Sequence, residues 1–177
     1  MRPMAFASRG GILLRIALIA LTISPLATVP AWPIQDEPED RATLKGVTAI
    51  RVAVTPLPLE IERSGLRTDQ LQTDVELRLR QSGITLAAPT LTATPGLWID
   101  LTFTKIDAVP VYAFSMKIEF LQYVRLSRDL SIGTTAPTWG YNAGGYVDTK
   151  DLPEIRPLIR DLVDKFINAY LEQNPKQ

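Results

Sequence analysis

The residues with the clearest capacity for chemistry are two carboxylates, Asp100 and Glu119, in successive strand-like segments. Side chains alternate along each segment, and the alternation puts both carboxylates on the same face of a sheet. Glycoside hydrolysis needs two carboxyl groups about 5 to 10 Å apart, with one of them desolvated in a cleft. An open sheet face supplies no such cleft, so the pair predicts a carboxylate-dependent hydrolase only as an alternative function.

The chain of 177 residues contains no histidine and no cysteine. Histidine is the commonest general base at neutral pH, and cysteine supplies the thiol nucleophile. Their absence excludes Ser-His-Asp machinery and nearly all zinc sites. We therefore expect a protein that is not an enzyme and that carries no metal and no cofactor.

Two glycine-containing motifs add no catalytic site. "NAGGY" (142–146) lacks the glycine spacing of a P-loop or a dinucleotide fingerprint. "SGITL" (82–86) places serine before glycine but lacks the G-x-S-x-G elbow. We interpret the first motif as a loop turn that ends a strand.

Recognition is a second possible role, because aromatic and charged side chains share the predicted sheet face of the two carboxylates. Interleaved aromatics and charges on an exposed sheet are typical of a surface that binds protein, peptide or glycan. The alternative is ordinary cross-strand pairs, such as Lys117 or Arg125 against a carboxylate, on a solvated face. The predicted surface comprises Trp98, Asp100, Lys117, Glu119, Tyr123, Arg125, Trp139 and Tyr141.

The elements that would position this face begin with a β-α-β unit. Alternation in residues 47–55 predicts a half-buried strand. Leu71, Val75 and Leu79 form one stripe of a helix. Residues 84–87 predict a second strand.

Three further strands and a terminal helix follow. Strands are predicted over residues 97–106 and 111–127, a further strand begins at residue 137 and ends near Gly144 and Gly145, and a helix is predicted over 151–174. The apolar positions of the longest strand are predicted to face the core. They are Tyr112, Phe114, Met116, Ile118, Phe120, Val124 and Leu126.

The order β-α-β-β-β-β-α predicts an α+β two-layer sandwich, with a mostly antiparallel sheet and two helices on one face. The other face should meet water or a partner. Residues 44–174 would form this single domain, since the 146 residues after position 31 suffice for one hydrophobic core.

The amino terminus, residues 1–31, has the three parts of a secretory signal peptide. Arg2 and Arg9 precede an apolar stretch over 12–23, and "LATVPA" supplies small residues before Ala31. We predict cleavage after Ala31 and export to the periplasm or the extracellular space. The alternative is an uncleaved segment that anchors the protein in a membrane.

The segment after the predicted cleavage site, residues 32–43, is acidic and contains proline, which predicts a disordered leader. Removal of the signal peptide leaves 16 basic and 19 acidic residues, a net charge of −3. This balance disfavours nucleic acid as a partner, since phosphate binding needs clustered Lys and Arg. The expected partner is a protein or an envelope component, and membrane contact is expected only if the signal segment is uncleaved.

The β-α-β opening with "LRQSGITL" (79–86) and the terminal helix with "FINAYLEQNPK" (166–176) resemble small periplasmic domains of bacterial envelope systems. The TolB amino-terminal domain and the auxiliary component of lipid-transporting ABC systems are similar in element order over most of the mature chain. The resemblance implies a non-catalytic part in assembly or transport. The chain departs from the lipoprotein members because it has no cysteine to carry a lipid.

Three functions therefore stand as hypotheses. The preferred one is an exported non-catalytic module that binds through the helix-free sheet face or a sheet edge. The second is a hydrolase that uses Asp100 and Glu119. The third is a structural subunit that self-associates through edge strands.

Overall fold

The computed structural model describes residues 36–88 and 94–175. The predicted signal peptide and residues 32–35 lie outside the described residues. Within these ranges, no helix has the length and apolar character needed to span a lipid bilayer. The elements are α1 (Pro38–Ala42), β1 (Arg51–Val54), α2 (Leu59–Arg63), α3 (Thr68–Gln81), β2 (Gly96–Lys105), β3 (Val111–Leu126), β4 (Asp129–Asp148), a 3₁₀ helix (Thr149–Glu154) and α4 (Ile155–Gln173).

The four strands form one open, mixed sheet in the order β1-β2-β3-β4. β1 pairs with β2 in parallel, and the other two pairings are antiparallel. α3 lies in the connection from β1 to β2, which is the crossover that parallel strands require. The predicted α+β class with a mostly antiparallel sheet is confirmed.

One hydrophobic cluster fills the space between the helices and one face of the sheet. Leu97, Phe120 and Trp139 lie opposite one another on β2, β3 and β4, and all three are buried. The Phe166 ring of α4 packs on two of them, with centroids 5.4 Å from Phe120 and 5.2 Å from Trp139. Leu71 of α3 belongs to the same cluster. The core therefore lies on one side of the sheet, where it buries large apolar side chains.

The second predicted strand, residues 84–87, is reduced to an isolated bridge between Ile50 and Leu86. The Ala87 amide donates to the Ile50 carbonyl over 2.8 Å, and up to residue 88, where the description is interrupted, the pairing goes no further. Gln72 of α3 occupies the next place on this edge, because its Nε2 donates to the Val52 carbonyl over 3.1 Å. The prediction of five strands is therefore wrong, since a side chain replaces the continuing ladder.

The segment predicted as a disordered leader is folded from residue 36 onward. Pro38 begins α1, where its missing N–H and fixed φ suit the first turn. Arg41 Nη1 donates to Glu172 Oε2 of α4 over 2.9 Å, and the Leu44 side chain is fully buried. The prediction of disorder is wrong for residues 36–43, because Arg41 pairs with Glu172 of α4 and the adjoining Leu44 is buried in the core, contacts that the composition of the segment does not reveal.

Two element boundaries also differ from the prediction. β4 begins at Asp129, well before residue 137, because a tight turn returns the chain directly from the end of β3. The predicted helix over 151–174 divides into the 3₁₀ helix and α4, and Asp148 Oδ1 accepts a hydrogen bond from the Lys150 amide at its start. The short helix α2 was not predicted.

Candidate binding surface

Six of the eight predicted surface residues lie on the sheet face away from the hydrophobic cluster, which we call the outer face. Trp98 lies directly opposite Glu119, and Asp100 lies opposite Lys117. Residues two apart on a strand share a face, so the remaining predicted residues of β3 lie there as well. The six are Trp98, Asp100, Lys117, Glu119, Tyr123 and Arg125.

Trp139 and Tyr141 lie on the opposite, helix-covered face, so their assignment to the binding surface is wrong. Trp139 is fully buried, and its Nε1 donates to Asp36 Oδ1 over 2.7 Å. Tyr141 lies opposite the buried Ile118 and packs partly buried against the core. Lys165 Nζ of α4 lies 4.5 Å from the Tyr141 ring centroid, a cation–π distance.

A β-bulge explains why these two aromatics turn inward. The register of β3 and β4 shifts by one residue at Thr138, which lies between the paired residues Pro137 and Trp139. If the register of Pro137 continued without the bulge, Trp139 would lie opposite Glu119 on the outer face. Gln122 Nε2 donates to Thr138 Oγ1 over 2.7 Å and so binds the bulge to β3.

Tyr146 is an outer-face residue that the sequence analysis missed. It lies opposite Ala113 and is 76% exposed. The motif at residues 142–146 was interpreted as a turn, whereas β4 runs straight through it. A Cβ at Gly144 would lie 2.9 Å from the Phe114 carbonyl oxygen, so the glycine lets the two strands approach. The tyrosine and valine after the two glycines were the available strand signal.

Three charged side chains of the outer face, Lys117, Glu119 and Arg125, have partners within the molecule. Lys117 Nζ lies 3.1 Å from Glu119 Oε2, and Asp100 is the register partner of Lys117. Arg125 Nη1 donates to the Leu130 carbonyl over 2.7 Å. Exposed pairs of this kind contribute little to stability. Because these charged groups already have partners within the molecule, the exposed aromatics offer the larger area for contact with another molecule.

Three exposed aromatics, Trp98, Tyr123 and Tyr146, extend along the outer face. Ala113, the register partner of Tyr146, lies ten residues before Tyr123 on β3, so the row spans about 34 Å at the usual strand rise. Trp98 is 45% and Tyr123 is 62% exposed. A Cβ at Gly133 would overlap the Tyr123 hydroxyl, so this glycine accommodates the ring. We call these three aromatics, together with the charged side chains Asp100, Lys117, Glu119 and Arg125, the aromatic surface.

Two cavities lie elsewhere. The larger, of about 600 Å³, follows the edge of β1 and is lined by Arg51, Val52, Glu76, Arg80 and residues 83–88. The smaller, of about 270 Å³, lies between α3 and α4 and is lined by Leu71, Asp74, Val75, Leu77, Arg78, Gln81, Arg156, Ile159, Arg160 and Val163. Neither is lined by Asp100 or Glu119. In the described ranges, no three His, Cys, Asp or Glu side chains are grouped to hold a metal ion.

Asp36 is the carboxylate with the most elaborate hydrogen bonding. Its two oxygens accept bonds from Arg41 Nε and Nη2 over 2.8 and 2.9 Å, in addition to the Trp139 bond. Partial burial raises the pKa of Asp36, but the hydrogen bonds from Arg41 and Trp139 and the charges of Arg41 and Lys165 outweigh it and lower the pKa. This cluster holds α1 on the core and lies off the aromatic surface.

Comparison with known proteins identifies no family. No protein-family model matches the chain, and no curated protein does. Among solved structures, a minor lipoprotein from Acinetobacter baumannii is 13% identical, with a TM-score of 0.32, over 72% of this chain and 91% of that one. A homologue of neuraminyllactose-binding hemagglutinin from Helicobacter pylori is 12% identical, with a TM-score of 0.27, over 82% and 90%.

These two similarities are weak. Both neighbours are bacterial proteins, and neither is described as a TolB domain or as an ABC auxiliary component. At such TM-scores neither structure assigns a function or a site to this chain.

Proposed function

We propose that the protein is an exported, non-catalytic binding or assembly module of the bacterial cell envelope that contacts a protein or envelope component through its aromatic surface. One observation carries the proposal. The sheet face without helices exposes Trp98, Tyr123 and Tyr146 in one row, while Lys117, Glu119 and Arg125 are paired or hydrogen bonded within the molecule.

The energetics of aromatic burial support a contact role for this row. Tryptophan and tyrosine dominate the energetic hot spots of protein interfaces. Strands hold these side chains in fixed positions, so binding would order little additional structure. Complete burial of one such ring stabilises a complex by about 1.5 to 3 kcal/mol from apolar area alone. Burial of the three rings would therefore offset part of the free-energy cost of association.

The proposed localisation is supported by the amino-terminal pattern and not by the described domain. Arg2 and Arg9, the apolar stretch and the small residues before Ala31 are the features that direct export. If the segment is cleaved, the domain works in the periplasm or outside the cell. If it is retained, the domain works at the membrane surface.

The geometry gives the hydrolase alternative no support. Glu119 is paired with Lys117, and Asp100 lies opposite the same lysine. Neither carboxylate lines either of the two cavities, whereas glycoside hydrolysis needs a cleft that holds both carboxyl groups. We therefore propose no catalytic role for the pair.

The test is site-specific photo-crosslinking in the cells that produce the protein. Crosslinking residues at Tyr123 and Tyr146 should each capture the same envelope component, because the two positions flank one surface. Crosslinking residues at Leu77 and Leu158, which are exposed on α3 and α4, provide the matched controls. Capture from the helix positions alone would assign binding to the other layer and reject the aromatic surface.

Binding to the captured component then distinguishes contact from folding. The variant Trp98→Thr/Tyr123→Thr/Tyr146→Thr keeps β-forming residues in the strands and should weaken binding at least tenfold. The variant Leu59→Ala/Leu77→Ala/Leu158→Ala removes three exposed leucines from the helices and should bind normally. Unchanged affinity in the first variant, with an unchanged circular dichroism spectrum, would contradict the proposal.

A further inference from the structure

The two edge strands of the sheet, β1 and β4, differ in how far other parts of the chain bind their outward backbone groups. On the β1 edge, the Ile50 amide donates to the Thr85 carbonyl, and Gln72 Nε2 donates to the Val52 carbonyl. In the first half of β4, the Leu130 carbonyl accepts from Arg125 Nη1, the Ser131 amide donates to Asp129 Oδ1, and the Thr138 carbonyl accepts from Thr43 Oγ1. From Trp139 to Asp148, the described residues outside β3 make no hydrogen bond to the strand backbone. β4 pairs only with β3 in the described sheet. Its far edge therefore presents a row of backbone donors and acceptors.

The open edge also lacks the charges that normally protect such strands. No charged residue occurs in β4 between Asp129 and Asp148. Natural proteins blunt edge strands with lysine, proline or bulges, since a bare edge pairs with other chains. Pro137 and the bulge at Thr138 protect the first half of β4. The second half, from Trp139 to Asp148, is regular and uncharged until its last residue.

We propose that this half of β4 pairs in antiparallel orientation with the same segment of a second copy of the chain, so that two four-stranded sheets join into one of eight strands. This goes beyond the proposed function because it uses the edge of the sheet and not its outer face. A symmetric contact between identical patches is the commonest form of protein dimer.

Charge and side-chain size favour a second copy as the occupant. A two-fold axis at Gly144 places Tyr146 opposite Asn142 and Asp148 opposite Gly140, so no like charges face each other. Each Tyr146 ring can then cover a glycine of the other copy. The same device occurs within the chain, where the Tyr123 ring covers a glycine of the neighbouring strand.

The length of the pairing predicts a weak dimer. Nine paired residues, 140–148, extend over about 31 Å, and a contact of this kind falls at the small end of specific interfaces. We therefore expect a dissociation constant of roughly micromolar order. Sedimentation of the exported chain over a wide concentration range should show a reversible shift from monomer to dimer. A monomer at all concentrations would overturn the proposal.

Two charge variants test the pairing and its register. Asn142→Asp/Tyr146→Glu places like charges directly opposite each other twice across the axis, whereas Asn142→Asp/Tyr146→Lys places opposite charges there. The dissociation constants of the two variants should differ by roughly tenfold, with the lysine variant dimerising more tightly. Equal dissociation constants, or a dimer insensitive to both changes, would overturn the proposed pairing.

Control variants separate this inference from the proposed function. Ser115→Lys adds a charge to the exposed outer face of the interior strand β3 and should leave the dimer unchanged. Trp98→Thr/Tyr123→Thr removes two aromatics of the aromatic surface away from the β4 edge, so dimerisation should persist while partner binding falls. A dimer lost in either control would show that the copies associate through their faces.

Discussion

Trp98 and Trp139 lie on the two strands that flank β3, at adjacent levels of the sheet, but they meet opposite environments. Trp98 is 45% exposed on the outer face, and its Nε1 donates to Thr55 Oγ1 over 3.2 Å. Trp139 is fully buried and donates to Asp36. Both tryptophans follow the alternation of their own strands. The register between strands decides which face each occupies, because an offset of one residue exchanges the faces.

The two faces of the sheet also differ in how their residues are determined. The helix-covered face needs an apolar residue at nearly every position. The residues of this face can therefore be recognised from the alternation of apolar residues in β2 and β3. The outer face tolerates threonine, glycine, charge or aromatic residues alike. The errors of face assignment, Trp139 and Tyr141, therefore concern residues that were predicted for the outer face, where binding is proposed.

Deletion of Thr138 should have the largest effect, because it removes the bulge that sets which face Trp139 occupies. Without the bulge, the strand from Trp139 onward must either lose its pairing with β3 or turn its core residues outward. We expect a loss of more than about 4 kcal/mol, enough to unfold a typical domain. Thr138→Ala keeps the residue count and should cost about 1 kcal/mol. Urea unfolding followed by circular dichroism measures both, and a stable deletion variant would show that the bulge does not set the faces.

Alanine at each tryptophan should give two very different stabilities. Trp139→Ala leaves a large cavity beside Phe166 and should lower the free energy of unfolding by about 3 to 5 kcal/mol. Trp98→Ala removes a half-exposed ring and should lower it by less than about 1 kcal/mol. Similar losses in thermal and urea unfolding would mean that the outer face is covered in solution.

Substitution of Asp36 should have an intermediate, pH-dependent effect. Asp36→Ala leaves the Trp139 indole and Arg41 without their acceptor and should cost about 1 to 3 kcal/mol at neutral pH. Because the pKa of Asp36 is lowered in the folded protein, its contribution is fully present above about pH 4 and disappears as pH falls through the native pKa.

The measurement for Asp36→Ala is urea unfolding at several pH values. The stabilities of the variant and the unchanged protein should converge in acid. Asp69→Ala removes a fully exposed partner of Arg67 and should have little effect at any pH. A constant difference between Asp36→Ala and the unchanged protein down to strongly acidic pH would contradict the role of the carboxylate charge.

The smallest expected effect concerns Asn142 on the outer face. Its Oδ1 is buried without a hydrogen-bond partner in the described part of the chain. Asn142→Thr removes this acceptor and adds a β-branched residue to the strand, so stability should rise by about 1 kcal/mol. Differential scanning calorimetry would detect the rise, and a lower melting temperature would mean that the oxygen has a partner in solution.

Much of the fold was predictable because it depends on local patterns. The stripe of Leu71, Val75 and Leu79 located α3, and all three are buried. The alternation of β2 and β3 gave the correct faces for Ile99, Ile118 and the six outer-face residues. These predictions succeed because period and burial are properties of a single segment.

The missed features depend on contacts between distant segments. The inward turn of Trp139 depends on one unpaired residue, and the order of residues 36–43 depends on hydrogen bonds to α4. Tyr146 was missed because the glycines before it were interpreted by their usual role in turns, whereas close approach of β3 required them in a strand. No local window of sequence contains this information.

The first and last described segments of the chain are held together. Asn174 Oδ1 accepts from the Gly46 amide over 2.8 Å, its Nδ2 donates to the Leu44 carbonyl over 2.9 Å, and the Tyr170 hydroxyl donates to the Val47 carbonyl over 2.6 Å. A domain whose first and last described segments meet can be circularly permuted. A short linker between them, with new termini at the exposed turn 127–128, should give a domain in which β3 and β4 pair without being consecutive.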